Sequence, residues 1–413
     1  MSIKKQNIIT VLEYALMLSA VLYSSMWALF TDALSNTFSR IFILILGALI
    51  VLNFSNIDRR AIYRAAAIAA FFAVFLFFTR YNFIRTILYL ILPFFLCLLY
   101  LSTLKEQKEK GRLLLYLSDI IVVFSAVSLV LYILGTHLHF LSPTSQVRVW
   151  WAEEERVINT YFHLLYEAQD VNFFGITLMR NCSIFPEAPG FAAYLAVAIG
   201  AELFLREKLS YSRLAVLLLS CLTSFSAKAI LLAAAALCLK FLFWDKKSTL
   251  IYAAKAGLII AAAALCAVIL WDKSKGHSFH IRLDDFNAAF KAFIKNPIFG
   301  AGYYNDSAII THFEYAYRAN DGLSMGLAVL LAQGGLWSFG FYILSALKAV
   351  LRTEREGRLN MLSFALIFFG MLFITNMPFS MLTIFVISFF AASGREGLFE
   401  DMWEGVKKWQ NKA

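Results

Sequence analysis

The sequence predicts an all-α, polytopic membrane protein of about 12 transmembrane helices, with two large outward-facing loops that contain short helices. Three observations predict it. Apolar runs of spanning length recur from end to end of the 413 residues. Only 15% of the residues are charged and 61% are hydrophobic, whereas soluble domains carry roughly a quarter charged residues. The basic residues gather in alternate inter-span loops. Lipid offers the backbone no hydrogen-bond partner, so each crossing has to be a helix of about 20 mostly apolar residues.

In chain order the spans are expected at about residues 8–30, 38–55, 61–79, 84–102, 113–135, 189–205, 211–225, 227–244, 250–271, 323–347, 359–375 and 377–393. The first run follows Lys4-Lys5, continues to about Phe30 and has no small-residue cleavage site, so it reads as a retained helix rather than a removed signal. With a cytoplasmic N-terminus, alternate loops receive Arg59/Arg60, Lys105/Lys108/Lys110/Arg112, Arg206/Lys208/Arg213, Lys246/Lys247, Lys348/Arg352/Arg355/Arg358 and a tail with Arg395, Lys407, Lys408 and Lys412. That pattern obeys the positive-inside rule, puts both termini in the cytoplasm and turns the two long loops, 136–188 and 272–322, outward. The whole chain reads as a single transmembrane domain.

The net charge of +10 is spread over those short loops, with no basic tail or recognition motif, which excludes nucleic acid as a partner. Cys97, Cys221, Cys238 and Cys266 fall in apolar runs and Cys182 has no partner in its loop, so neither a disulfide framework nor a zinc site is expected. All six histidines lie in the long loops, and His137-x-His139 and His277-x-x-His280 lack a clear third ligand, so no metal and no cofactor is expected.

The first loop holds Trp150 and Trp151, the acidic run Glu153-Glu154-Glu155 and a helical-looking stretch near Val157–Ala168. Paired tryptophans at a helix border predict a segment lying along the membrane surface. The second loop has helical spacing from Arg282 to Lys291. The tail, 394–413, places Leu398, Phe399, Met402, Trp403, Val406 and Trp409 on one side, which predicts an amphipathic helix on anionic headgroups.

The densest chemistry is Met179-Arg180-Asn181-Cys182-Ser183-Ile184-Phe185-Pro186-Glu187-Ala188-Pro189-Gly190-Phe191, which leads straight into a span. Arginine presents a planar fork that fits phosphate oxygens, and a desolvated carboxylate can serve as a general base. The structural alternative is that Arg180 and Glu187 pair or cap a helix. The second loop adds Arg282 with Asp284 and Asp285, then Asn296-Pro297-Ile298-Phe299-Gly300-Ala301-Gly302, whose Gly-x-Gly permits a tight turn and close approach of a ligand. It lacks the third glycine and the strand of a dinucleotide fingerprint. His312, Glu314, Arg318, Asn320 and Asp321 follow. Within the spans, Glu13, Asp119 and Lys228 are costly in lipid and require partners or a cavity. Lys228, after Thr223-Ser224-Phe225-Ser226, is placed to hold an anionic headgroup.

Taken together and in order, these segments resemble the O-antigen polymerase and ligase superfamily of bacterial membrane glycosyltransferases. The resemblance rests on Arg180…Phe185-Pro186-Glu187…Phe191, Thr223-Ser224-Phe225-Ser226, Arg282…Phe286…Ala289…Asn296-Pro297-Ile298-Phe299-Gly300-Ala301-Gly302, and Asn320-Asp321-Gly322-Leu323…Leu330-Leu331-Ala332-Gln333-Gly334-Gly335-Leu336. It covers the middle and later chain; the first four spans share only hydropathy. The resemblance implies metal-independent transfer from an undecaprenyl-pyrophosphate-linked oligosaccharide on the outer side of the cytoplasmic membrane. Arg180 and Arg282 are the positions implied to hold the pyrophosphate, then Arg318, with Arg148, Arg156 and Lys228 as further members. Glu187, His312 and Asp321 are the candidate catalytic groups, and a chain-length regulator becomes a plausible partner alongside membrane lipid. The ligase branch carries His-Asn where this chain has Ala319-Asn320, which favours the polymerase branch. The Arg-to-Gly spacings of some polymerases are matched imperfectly: nine residues separate Arg180 from Gly190, and Arg282 has no such glycine. A transporter of lipid-linked sugar is the reading from another class; it would show paired repeats and interrupted helices.

Overall fold

The computed structural model describes residues 3–29, 32–79, 81–104, 106–151, 154–173, 176–243, 248–249, 252–257, 259–261, 264, 277–315 and 322–393. Helix accounts for 73% and strand for 6% of the structure, as expected of a helical membrane protein. The helices are α1 (Ile3–Tyr23), α2 (Met26–Leu29), α3 (Asp32–Leu52), α4 (Arg59–Thr79), α5 (Phe83–Thr86), α6 (Leu92–Thr103) and α7 (Gln107–Leu131). After the first long loop come α8 (Ala188–Phe204), α9 (Tyr211–Thr223) and α10 (Ala227–Leu242). The last group is α11 (His277–Lys295), α12 (Ser307–Ile310), α13 (Gly326–Arg352), α14 (Arg355–Ile374) and α15 (Met381–Ala392).

Every predicted span other than 250–271, most of which lies outside the described residues, falls on one of these helices. Six helical segments among the described residues are long and apolar enough to cross a membrane: Lys5–Tyr23, Ala61–Thr79, Phe83–Thr103, Gln107–His137, Gly326–Arg352 and Arg355–Ile374. Others, such as α8, α9 and α15, are shorter, so the expected twelve full-length spans are met only in part. α8 and α15 are buried nearly throughout, ringed by other helices, which is why they are apolar on every face.

The first long loop corrects the all-α expectation. The stretch near Val157–Ala168 is not helical: β1 (Ser145–Trp151), β2 (Glu154–Tyr161) and β3 (Leu165–Tyr166) form an antiparallel sheet, and β4 (Asp170–Phe173) pairs with β5 (Ile176–Met179). The alternation Val147, Val149 opposite Ile158 and Arg156 is a period of two, and β-branched residues favour the pleated surface. Trp150 and Trp151 therefore lie on a strand, paired by register with Glu155 and Glu154, rather than at a helix border. The sheet face carrying Val147, Val149 and Ile158 packs on Met26 and Tyr166.

α13 is two helices that meet at a break at Gly335, where φ is 60° and ψ −168°. Non-helical backbone at membrane depth has to be satisfied by protein, and here the segment Asn296–Tyr304 does so. Pro297 O and Ile298 O accept from the N–H groups of Leu336 and Trp337 at 2.9 and 2.9 Å. The Ala301 and Gly302 N–H groups donate to Ala332 O and Gln333 O at 2.8 and 3.0 Å. Aromatic stacks then fasten the inserted segment and α13 to α4: Tyr303 on Phe75 at 4.0 Å, Phe299 on Phe78 at 4.3 Å and Trp337 on Phe71 at 4.2 Å. In the Gly-x-Gly of the second loop, Gly300 permits close approach to the α13 backbone and Gly302 close approach to Tyr81.

The in-span acids have partners. Glu13 accepts from Tyr100 Oη at 2.6 Å and Arg112 Nη2 at 2.8 Å. Asp119 accepts from Tyr14 Oη at 2.6 Å, Arg206 Nη2 at 2.9 Å and Arg213. Glu202 accepts from Ser118 Oγ at 2.7 Å and Arg213 Nη2 at 2.8 Å, and pairs with Arg206. This network ties α1, α6, α7, α8 and α9 together. Removing one partner of such a network is costly, so Glu202→Ala, which leaves Arg206 and Arg213 to share Asp119, is expected to cost about 2 kcal/mol, read as a lowered thermal midpoint in detergent.

Candidate functional site

Glu187 and Glu202 mark the two ends of α8, about 22 Å apart at 1.5 Å per residue. The end away from the Glu202 network gathers the sequence-predicted cations. Arg180 sits where the β4–β5 ladder closes, its N–H donating to Gln169 O at 2.9 Å. Its side chain is held twice, by Nε to Ser224 O at 3.0 Å and by Nη1 to Gln169 Oε1 at 3.2 Å. Gln169 Oε1 also accepts from the Ala188 N–H at 3.2 Å, so one amide joins Arg180 to the start of α8. Asn181 extends the seam to the α9–α10 turn, its N–H on Thr223 O at 3.0 Å and its Nδ2 on Thr223 Oγ1 at 3.2 Å. Ser183 and Phe225, on either side of this seam, hold left-handed backbone at φ 50° and 45°, the sort of stored strain that concentrates at functional sites.

Glu187 takes the N-cap position of α8 in extended conformation, with no hydrogen bond to a described residue from its side chain. Burial pushes its carboxyl above the usual carboxylate range, opposed by the positive charges of Lys228 and Arg180. Lys228, in the first turn of α10, is buried. It makes no hydrogen bond or ion pair with any described residue, yet feels the charges of Arg282, Glu187, Arg180 and Asp285. Arg282, on α11, is exposed and likewise makes no hydrogen bond within the described residues. Its neighbour Asp285 is buried and accepts from the Ser324 N–H at 2.9 Å and from the Ser324 hydroxyl. Asp284 accepts from the Glu314 N–H at 3.0 Å. The two aspartates thus tie the chain before α13 to α11.

Three segments of the chain, carrying Arg180 and Glu187, Lys228, and Arg282, therefore bring the other three charges within the field of Lys228. Three cations face Glu187 and an Asp285 already engaged by Ser324. Lys228 thus shares two carboxylates with two guanidiniums and makes no direct ion pair among the described residues, and a buried ammonium so placed is costly.

The other candidates lie on further segments of the chain. Arg148 and Arg156 stand on opposite faces of the β1–β2 ladder, since Arg148 is opposite Val157 and Arg156 opposite Val149. Arg148 is exposed and paired with Glu155 at 3.7 Å. His312 lies beside the C-terminal half of α11, where burial and then Lys295 and Lys291 lower its pKa. Lys291 and Lys295 lie nine and thirteen residues along the helix from Arg282, about 14 and 20 Å. Arg318 and Asp321, the Ala319-Asn320 pair and the proposed amphipathic tail lie outside the described residues. Among the described residues no three His, Cys, Asp or Glu side chains cluster as a metal site. Cys182 is buried and free beside the site. Sequence reasoning missed Gln169, whose only local signal is its place just before β4. Neither a protein-family model nor a curated protein matches the chain.

Proposed function

We propose that this protein is a membrane glycosyltransferase that polymerises undecaprenyl-pyrophosphate-linked oligosaccharide repeat units of a surface polysaccharide, whether O-antigen, capsule or exopolysaccharide. The reading places the site on the periplasmic or extracellular side of a bacterial cytoplasmic membrane, with both termini in the cytoplasm. The observation that carries it is buried Lys228, without a direct partner among the described residues and flanked by Arg180 and Arg282.

A diphosphate is the anion that suits three cations at the lipid boundary, because its charge grows as the glycosidic bond breaks and fixed cations stabilise that growth without reorganising. In the transfer, an acceptor sugar hydroxyl attacks the anomeric carbon. The new carbon–oxygen bond forms as the bond to the diphosphate breaks, and the diphosphate departs with the electron pair. The hydroxyl proton passes to Glu187, which has no competing hydrogen bond from a described residue. Neither metal nor cofactor enters this scheme. A chain-length regulator is a partner in the same reading.

A ligase that transfers the glycan to another acceptor uses the same chemistry. The transporter alternative draws on one observation, the break in α13 at Gly335. There the freed backbone groups are taken up by Pro297–Gly302, which leaves them unavailable to an ion or substrate.

The test is reconstitution of purified protein with the lipid-linked repeat unit alone. Longer lipid-linked products support polymerisation; none sinks it. The pH dependence follows from Glu187. The base must be ionised, and burial raises its pKa, so the rate is expected to fall with decreasing pH through a limb lying above the ordinary glutamate value of about 4.3. Glu187→Gln should remove the rate and with it the limb. A limb that persists in an active Glu187→Gln enzyme rejects the assignment.

A further inference from the structure

The proposed polymerisation consumes one lipid-linked diphosphate and retains another, because donor and acceptor are both lipid-linked. Two diphosphates in one pocket would repel each other, so the second needs a cation of its own. Arg85, on α5, occupies a setting that the transfer site does not use. Its side chain is exposed, its guanidinium lies 4.6 Å from the centre of the Tyr304 ring, and it makes no hydrogen bond or ion pair with a described residue.

Tyr304 is a fixed platform. Its backbone is left-handed at φ 60°, its N–H donates to Gln333 Oε1 at 2.9 Å, and its ring meets Phe379 edge-on at 5.5 Å. A bulky residue adopts that backbone only where its surroundings over-determine it. Tyr23, at the end of α1, lies within the field of Arg85 and of Tyr304. Three residues after Tyr23, the Met26 N–H donates to Ile184 O at 2.7 Å, between Arg180 and Glu187 in the chain. The Arg85 platform and the transfer site therefore stand at the same end of the bundle.

The two settings differ as the two roles require. A leaving diphosphate needs several cations, one of them buried, where charge develops. A diphosphate that stays attached needs only to be held, and one guanidinium stacked on an aromatic ring presents its fork in a fixed plane for phosphate oxygens. We infer that Arg85, stacked on Tyr304 beside Tyr23, binds the phosphate group of the second lipid-linked glycan, the acceptor of the transfer.

This inference rests on the polymerase reading and is tested separately from it by counting bound undecaprenyl diphosphate on the purified protein in phosphatidylcholine nanodiscs by native mass spectrometry. The expected result is two molecules per wild-type chain and one for Arg85→Ala. Arg85→Lys keeps the charge but loses the fork, and should take the second molecule about 10-fold more weakly. One molecule on both wild type and Arg85→Ala overturns the inference and leaves the polymerase reading standing. No molecule on wild type overturns both. The same count in phosphatidylglycerol nanodiscs separates the sources of phosphate. Retention of the second molecule supports a lipid-linked glycan, and its selective loss identifies an ordinary phospholipid headgroup site and overturns the inference.

Discussion

Arg282→Ala is expected to reduce polymer growth by about 100-fold or more while the protein stays at its wild-type level in the membrane. The two halves of that expectation have separate causes. Arg282 is exposed and holds no described residue by a hydrogen bond, and its charged neighbour Asp285 keeps its hydrogen bonds from Ser324, so its loss breaks no link of the fold. Its guanidinium acts on Lys228 together with Arg180, so its loss removes positive charge where, in the proposed reaction, a leaving diphosphate would gather negative charge. Arg180→Ala is expected to lose the same activity and some stability besides, because the Arg180 guanidinium donates to Ser224 O and Gln169 Oε1. Arg→Lys at either position should fail to restore the rate, since an ammonium lacks the planar fork. Glycan length in cells, read beside protein level and thermal midpoint, separates these outcomes. Normal chain lengths in cells carrying Arg282→Ala at wild-type abundance would falsify the diphosphate assignment.

Gly335→Ala should prevent the protein from accumulating. At φ 60° and ψ −168° the backbone occupies a region that only glycine enters readily. A Cβ there would stand 2.3 Å from Ile298 O and 2.6 Å from Gly300 N. Those are backbone atoms of the segment that repairs the break, so relief of the clash would open the hydrogen bonds from Leu336 and Trp337. The combined cost is expected to exceed about 3 kcal/mol, a large share of the stability of a typical protein. Gly340→Ala in the same helix is the control: nothing lies within 4 Å of its added Cβ, and alanine favours helix over glycine by about 1 kcal/mol. Immunoblotting of membranes reads both. Wild-type abundance of Gly335→Ala would remove the inserted segment as a structural requirement.

Positions where function is read lie close to positions where local rules are broken. Ser183 and Phe225 are left-handed beside Arg180, and Tyr304 is left-handed beneath Arg85. None is a glycine, so each backbone is held by its surroundings rather than by its own preference.

The amino-acid sequence by itself determined the helical membrane character and the positions of most helices, and it offered nine candidate site residues, among them Arg180, Glu187, Lys228 and Arg282. Those features are written locally: apolar length, charge in short loops, and a charged motif abutting a span are all legible within a window of about 20 residues. Only the tertiary structure decided that residues 145–161 pair as strands, that α13 is broken at Gly335, that Arg148 and Arg156 fall on opposite faces of one ladder, and that Arg85 is laid on Tyr304. Each of these depends on contacts between distant segments. A strand needs its partner's carbonyls, and the break at Gly335 needs Pro297 and Ile298 to complete it. Apolar runs continue on both sides of that break, so the Gly334-Gly335 pair is its one local mark and does not say what fills the gap. Convergence of side chains from separate segments is a property of packing, and packing is not periodic in the chain.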